Sequence, residues 1–335
     1  MRNLLHGTLR KMDANTYFLH YTDDYALDAL LEHGVRNAAE LVYLAGKHFG
    51  TKNGELKMNG GGFACTTFNA FTSAGEPILA RNFDYKDAPA VVVWTAPEKG
   101  YRSVAMTDTN VMLYGSKLGE KENRNRLLLA PYACMDGVNE KGLAIAVLEI
   151  KAKATHQHTE RKNIITTVMI RAVLDRCATV DEAVELFRQF DMHDSLFCNY
   201  HYQIVDASGK SIVIEYVHNE MRLIAPDGRV QYVMNFYKSA DGDNRKGFGY
   251  TRQKWVEEAF ARCGETMDEP QAMQLLEKCR LDYRHKFGYP ITSLWSAVYN
   301  CTKHTMLLST GMQYETQYLL GVEYDPSIQP MPQEA

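Results

Sequence analysis

The chain has 335 residues, 45% hydrophobic and 23% charged, enough apolar material for one large domain or two modest ones with a real core. A net charge of −4 leaves no basic excess to neutralise phosphates, so no nucleic-acid partner is expected. The apolar runs are strand-length, as in Val91-Val92-Val93-Trp94, and too short to span a bilayer, so no membrane is expected either.

The start, Met1-Arg2-Asn3-Leu4-Leu5-His6-Gly7, has two leucines before polar residues return and does not read as a secretory signal. Residues 1–64 are read as a helical leader, because Tyr25, Leu27, Leu30, Leu31, Val35, Ala38, Leu41, Val42 and Leu44 recur at helical spacing. The leader runs into Asn59-Gly60-Gly61-Gly62, and three consecutive glycines make a flexible connector. Residues 65–150 read as strands: 65–70, a turn at Ser73-Ala74-Gly75-Glu76, a return over 78–82, then 90–95, 101–106 and 143–150. Asn139-Glu140-Lys141-Gly142 is the turn before the last of these, its Asn and Gly suiting left-handed conformations. Helices are expected over 164–176, from the capping box Thr179-Val180-Asp181-Glu182 through Phe187, over 252–263 and over 271–280. A hairpin is expected about Ala207-Ser208-Gly209-Lys210, and strands at 292–300 and 305–310 close the fold. The domain reading is a leader over 1–64, a catalytic domain over 65–325 and a loose, proline-bearing tail over 326–335. Strands, then helices, then strands point to a layered α+β fold.

The seven cysteines, Cys65, Cys134, Cys177, Cys198, Cys263, Cys279 and Cys301, are odd in number and form no CxxC pair. Six sit among apolar or helical neighbours and read as reduced core residues, so a cytoplasmic location is expected. Cys65 stands apart, because it opens a strand soon after the glycine run. A thiol attacks a carbonyl as its thiolate and needs a base. A cysteine at a chain terminus carries one in its α-amine, whose reference pKa is about 7.7–8.0. Gly60-Gly61-Gly62 would let Cys65 attack the carbonyl of Ala64, an N-to-S acyl shift whose hydrolysis frees that amine. A buried strand cysteine behind a surface loop is the bland alternative, and the local sequence alone favours it. The turn at 73–76 alters the balance, since it folds Arg81-Asn82-Phe83-Asp84 back toward Cys65. Arg81 can hold a thiolate and Asp84 a protonated amine, whereas a surface ion pair three residues apart would carry little.

The block Cys65-Thr66-Thr67-Phe68, Gly75 and Ala80-Arg81-Asn82-Phe83-Asp84-Tyr85 resembles the opening of the choloylglycine hydrolase and penicillin V acylase family. These are N-terminal-nucleophile hydrolases of linear amides. The Cys-Thr-Thr start behind a long propeptide is also similar to the isopenicillin N acyltransferase branch. Asp136-Gly137-Val138-Asn139-Glu140-Lys141-Gly142-Leu143-Ala144 resembles the family's most specific signature. Pro97-Glu98-Lys99-Gly100-Tyr101, Tyr232-Val233-Met234-Asn235, Thr251-Arg252 and Thr292-Ser293-Leu294-Trp295-Ser296 resemble further blocks.

The resemblance implies an αββα four-layer sandwich of two antiparallel sheets. It makes Cys65 nucleophile and, through its amine, base; Asp84 binds that amine, and Arg81 and Arg252 supply positive potential. Asn235 and the backbone N–H of Glu149 are the implied oxyanion donors. The family often has Asn or Tyr at the latter position, so a carboxylate there is expected to favour an amine-bearing substrate or repel an acidic one. Cleavage between Ala64 and Cys65 follows, with no cofactor and no metal. The partner is a small-molecule N-acyl amide of bile-salt, penicillin V or N-acyl amino acid type, and a homo-oligomer stays open. Transfer of the acyl group to an amine is the rival within enzymes, and a non-catalytic binding protein on the same fold is the rival outside them. Elsewhere, His156-Gln157-His158 lacks a third metal ligand at typical spacing and reads as an exposed loop. His201 could pair with Cys65 in a papain-like dyad, but no Asn or Asp orienter is evident beside it.

Overall fold

The computed structural model describes residues 4–52, 56, 58, 64–113, 121–194, 198–283 and 290–331. The leader is not wholly helical. It opens with strands β1 (Thr8–Lys11) and β2 (Thr16–Tyr21), followed by helices α1 (Leu27–His33) and α2 (Ala38–Phe49). β2 was hidden because both its faces are partly buried, so Thr16-Tyr17-Phe18-Leu19-His20-Tyr21 shows no clean alternation. The Gly60-Gly61-Gly62 connector lies outside the described residues.

After the leader, β3 (Ala64–Phe71) and β4 (Pro77–Lys86) form the expected hairpin about Gly75, which takes a φ of 80°. Next come β5 (Ala90–Thr95), β6 (Ser103–Asp108), a short helix α3 (Thr109–Leu113) and a run of 3₁₀ turns over Lys121–Ala133. β7 (Asp136–Asn139) and β8 (Ala144–Ile150) flank the signature turn. Gly142 there has φ 78°, and a Cβ would stand 2.0 Å from the Cys301 carbonyl oxygen. Asn139 is not left-handed; its side chain accepts from the N–H groups of Lys141 and Leu143 instead. β9 (Lys162–Ile165) takes the first residues of the expected helix, which begins at Thr166 as α4 (Thr166–Arg176). α5 (Val180–Arg188) starts at its capping box, with Thr179 accepting from the Glu182 N–H at 3.2 Å.

The remaining elements are β10 (Phe190–His193), β11 (Asn199–Val205), β12 (Ser211–Val217), β13 (Glu220–Ile224), β14 (Tyr232–Val233), α6 (Tyr250–Cys263), α7 (Glu269–Lys278), β15 (Ile291–Asn300), β16 (Thr305–Thr310) and β17 (Gln317–Gly321). A nine-stranded sheet runs β1-β2-β5-β6-β7-β8-β11-β12-β13, and a six-stranded sheet runs β14-β3-β4-β15-β16-β17. The smaller sheet is antiparallel throughout; the larger is too, except where β2 lies parallel to β5. β9 and β10 form a separate parallel pair.

Alternation along β3 and β4 separates two cores. Cys65, Leu79 and Phe83 face the nine-stranded sheet and join its apolar residues. Phe68, Ala70, Ile78 and Ala80 face the other way and pack with Val256 of α6 and Leu276 of α7. On the far side of the larger sheet, Phe187 of α5 meets Tyr202 at 4.9 Å, and the Tyr202 hydroxyl donates to Thr166 of α4. The order is helix, sheet, sheet, helix, the four-layer sandwich expected. Among the described residues no helix is long and apolar enough to cross a membrane.

Two smaller readings change. Cys263 is exposed and Cys198 half-buried, so the cysteines other than Cys65 are not all core residues. The tail is tied down as far as Met331: Arg10 donates to the carbonyls of Pro326 and Ile328, and the Met331 N–H to that of Gln317.

The leader strand is part of the core, with the Phe18 ring 5.1 Å from Trp94 and 5.4 Å from Tyr318. In a Cys65→Ala background, Phe18→Ala is expected to lower the unfolding free energy by about 3–5 kcal/mol, read by urea titration. A change below about 1 kcal/mol would mean that β2 lies outside the cooperative core.

Candidate active site

The hairpin register decides which side chains meet at Cys65. Cys65 pairs with Phe83, Thr67 with Arg81 and Ala64 with Asp84. Arg81 therefore shares the inner face with Cys65, while Asp84 lies on the outer face toward α6.

On the inner face, Arg81 Nη2 stands 3.2 Å from Cys65 Sγ. Its Nη1 donates to the Met135 carbonyl at 3.0 Å and pairs with the Asp136 carboxylate. The guanidinium lies 4.8 Å from the Phe83 ring centre and 5.6 Å from that of Trp295. Asp136 is held in turn by Trp295 Nε1 at 3.1 Å and the Tyr299 hydroxyl at 2.5 Å. All five of these polar and aromatic side chains are fully buried.

On the outer face, Asp84 Oδ2 accepts from Arg252 Nη1 at 2.7 Å and Oδ1 from Ser293 Oγ at 2.5 Å. Gly249 caps α6 with φ 101°, which sets Arg252 in its first turn. A cation there opposes the helix dipole, and Asp84 compensates. Arg252 Nη2 also donates to Asn235 Oδ1 at 3.0 Å.

Asn235 arrives through strand register. β14 pairs Tyr232 with Phe68 and Val233 with Thr67, so the next same-face residue, Asn235, comes level with Cys65. Its Oδ1 accepts from the Cys65 N–H at 2.9 Å, and its Nδ2 donates to the Glu149 carbonyl at 2.9 Å. The amide can face only this way, since a guanidinium only donates and a carbonyl only accepts. In the intact chain, then, Asn235 is an acceptor toward Cys65 and spends one Nδ2 hydrogen on Glu149.

β8 supplies the opposite wall. The Val147 carbonyl lies 3.8 Å from Cys65 Sγ, and Glu149 reaches the site through its carbonyl. Its side chain shares a face with its register partner Tyr200, the face opposite Leu148 and His201. Burial pushes the Cys65 thiol up to about 12; Arg81 and Arg252 pull it down and Asp84 pushes it further up. The thiol of the intact chain is therefore neutral at physiological pH. A cavity of about 920 Å³ reaches Ala64, the residue before Cys65, and is also bordered by Lys151, Phe248, Arg252, Trp255 and Tyr283; the fully buried Cys65 is not on its border.

The structure brings together Cys65, Arg81, Asp84, Asn235, Arg252 and the Glu149 backbone. It does not bring His201 to the thiol by any hydrogen bond among the described residues. His201 Nδ1 lies 3.4 Å from the Glu215 carboxylate across the β11–β12 hairpin, so a carboxylate does stand beside it. The His156 and His158 rings gain a third neighbour in His193, with ring centres 4.6–6.2 Å apart. Among the described residues no three such side chains are placed to hold a metal. Asp136 and Ser293, not expected as site residues, both lie inside sequence blocks that resemble the family. The available signal was charge: a buried Arg81 requires a buried anion.

A deeply buried cysteine with this set of partners stands at the start of an interior strand of a four-layer sandwich. This chain belongs to the choloylglycine hydrolase family of linear amide C-N hydrolases. The family model matches residues 65–238 and begins on Cys65. Over 170 residues the chain is 29% identical to penicillin V acylase of Pectobacterium atrosepticum, covering 46% of this chain and 44% of that protein. A mutant conjugated bile acid hydrolase from Clostridium perfringens aligns at a TM-score of 0.54 and 14% identity, covering 81% of this chain and 97% of its own. Penicillin V acylase from Agrobacterium tumefaciens aligns at 0.52 and 17%, covering 76% and 84%. At these identities the solved structures speak for the fold.

In this choloylglycine hydrolase family member, Arg81→Met leaves Asp136 buried without its cation and is expected to cost about 3–5 kcal/mol in urea unfolding. Adding Asp136→Asn is expected to restore at least half of that. Strictly additive losses would show that the two charges do not depend on each other.

Proposed function

We propose that cleavage between Ala64 and Cys65 frees Cys65 as an N-terminal nucleophile, which then hydrolyses the amide bond of a small N-acyl molecule. The observation that carries this reading is the double hold on Cys65. Its thiol meets a guanidinium, and its backbone nitrogen meets an asparagine that is itself fixed by Arg252.

In the first step the Cys65 thiol adds to the Ala64 carbonyl. The Ala64–Cys65 C–N bond breaks, the nitrogen takes up a proton to become an amine, and a thioester remains. Water then releases the leader as a carboxylate and returns the thiol. In the mature site the amine takes the thiol proton, and the thiolate adds to the substrate carbonyl. The amine proton passes to the leaving nitrogen, and water hydrolyses the resulting acyl thioester.

The amine would sit between Asn235 Oδ1 and Asp84, sharing Asp84 with Arg252 and Ser293. The second Nδ2 hydrogen of Asn235 and the N–H of Glu149 are the oxyanion donors, and losing one such donor costs about 2.7–4 kcal/mol. The apolar borders Phe248, Trp255 and Tyr283 suit an acyl group, and Ala64 on the same rim gives the leader's scissile end access to the cavity.

The cut leader is expected to stay in place as a second piece. β2 is built into the larger sheet, and Tyr25 donates to Asp175, which pairs with Arg171 at 2.6 Å. Cut protein should elute as one species on gel filtration and separate in denaturant; early loss of the leader under native conditions would contradict this.

Bile-salt, phenoxyacyl and N-acyl amino acid amides, scored by released amine with and without an added amine acceptor, test the reaction. At least one is expected to be hydrolysed. Asn235→Ala should lower kcat by about 100–1,000-fold, and Cys65→Ala should leave none. Full turnover by Cys65→Ala would overturn the assignment, and product formed only with the acceptor would make the protein a transferase.

A further inference from the structure

The backbone beyond Asn235 has little sheet to hold it. β14 ends at Val233, and a single bridge joins Asn235 to Phe248. Two side chains hold the following turn instead. Asn244 Oδ1 accepts from the Tyr237 N–H at 2.7 Å, and its Nδ2 donates to the Tyr237 carbonyl at 2.9 Å. Glu215 of β12 accepts from the Ser239 N–H at 2.7 Å through Oε1 and from the Lys238 N–H at 3.0 Å through Oε2.

Glu215 is fully buried, and Lys238, the nearer of the two residues it holds, is three residues along the chain from Asn235. Burial works against its charge, but His201, the Ser239 side chain and the Lys238 N–H outweigh burial and hold the carboxyl below its ordinary value. A carboxylate is the group that fits, because it offers an acceptor oxygen to each of two consecutive N–H donors. A glutamine would set its own NH₂ against one of them.

We propose that Glu215, with His201 beside it, is a positioning residue that fixes the turn after Asn235 and so fixes the Asn235 amide against Cys65. The inference rests on Asn235 serving the reaction of Cys65. Each of the three hydrogen bonds that orient that amide is about 3 Å long, so a shift of about 1 Å in the turn breaks them, and misplacement of that size costs about 100-fold in rate.

The test compares Glu215→Gln with a matched control, Asp108→Asn. Asp108 is another fully buried carboxylate, accepting from the Asn110 and Val111 N–H groups at 2.6 and 3.2 Å. Melting temperature, hydrogen exchange of the peptide spanning 235–240, and kcat and KM on the best amide of the panel are measured for both. Glu215→Gln is expected to lose about 100-fold in kcat, to change KM by less than about 3-fold and to exchange faster over 235–240. Asp108→Asn is expected to keep the wild-type kcat at a comparable melting temperature. Wild-type kcat in Glu215→Gln, or an equal kcat loss in both variants, overturns the proposal. Should Glu215→Gln not fold, His201→Gln is expected to give the same pattern at about 10-fold, and its wild-type kcat would overturn the proposal. If wild-type protein turns over no amide, the functional reading fails, and exchange decides this one. Faster exchange confined to 235–240 in Glu215→Gln upholds the hold on the turn, and unchanged exchange overturns it.

Discussion

Two buried arginines approach one cysteine from the two faces of a single sheet, and much of the molecule follows from satisfying them. A buried guanidinium costs several kcal/mol unless it is paired and its hydrogen bonds are met. Arg81 pairs with Asp136 and donates to the Met135 carbonyl, leaving only its Nε without a partner among the described residues, and Arg252 pairs with Asp84 and donates to Asn235. Each carboxylate needs its own donors. Asp136 draws on Trp295 and Tyr299, and Asp84 on Ser293, so all three come from β15. The central strand of the smaller sheet is thus pinned to β4 by chemistry as well as by backbone pairing. The register slip between Ser293 and Trp295 lets one strand serve both faces.

The same constraint keeps the thiol quiet in the intact chain. Arg81 lies 3.2 Å from the sulfur, yet burial outweighs its pull. A base is therefore required, and no histidine hydrogen-bonds the sulfur among the described residues. This favours the reading in which the base is made by cutting the chain. The leader fits it as well, for β2 adds to the larger sheet and Phe18 lies between Trp94 and Tyr318. In the intact chain the segment before Cys65 is a structural piece of the fold, and the proposed cut would leave it in place.

The parts of the site legible in the sequence were those joined by short connections or by a motif. Arg81 and Asp84 could be placed near Cys65 because a tight turn sets the β3–β4 register, and register alone puts one on each face. Helices α4 to α7 were legible from periodicity and from the Thr179 capping box. β2 was not, although a short connection joins it to β1, because burial on both faces removes its alternation and its other partner, β5, lies far along the chain in a parallel pairing. The Asp136–Arg81 pair was hidden for the same reason: each residue sat in a recognised motif, but nothing local joined the two. Glu215 lies within a hairpin strand, and its hold on Lys238 and Ser239 exists only once β12 and the Asn235 turn are packed together.

The central claim is that the intact chain cuts itself before Cys65. Intact mass of wild-type protein and of Cys65→Ala, expressed and purified alike, tests it most directly. The account predicts pieces of 64 and 271 residues (335 − 64) from the wild type and a single uncut chain from the variant. A wild type that stays full-length, or a variant that is cut at the same bond, would contradict it.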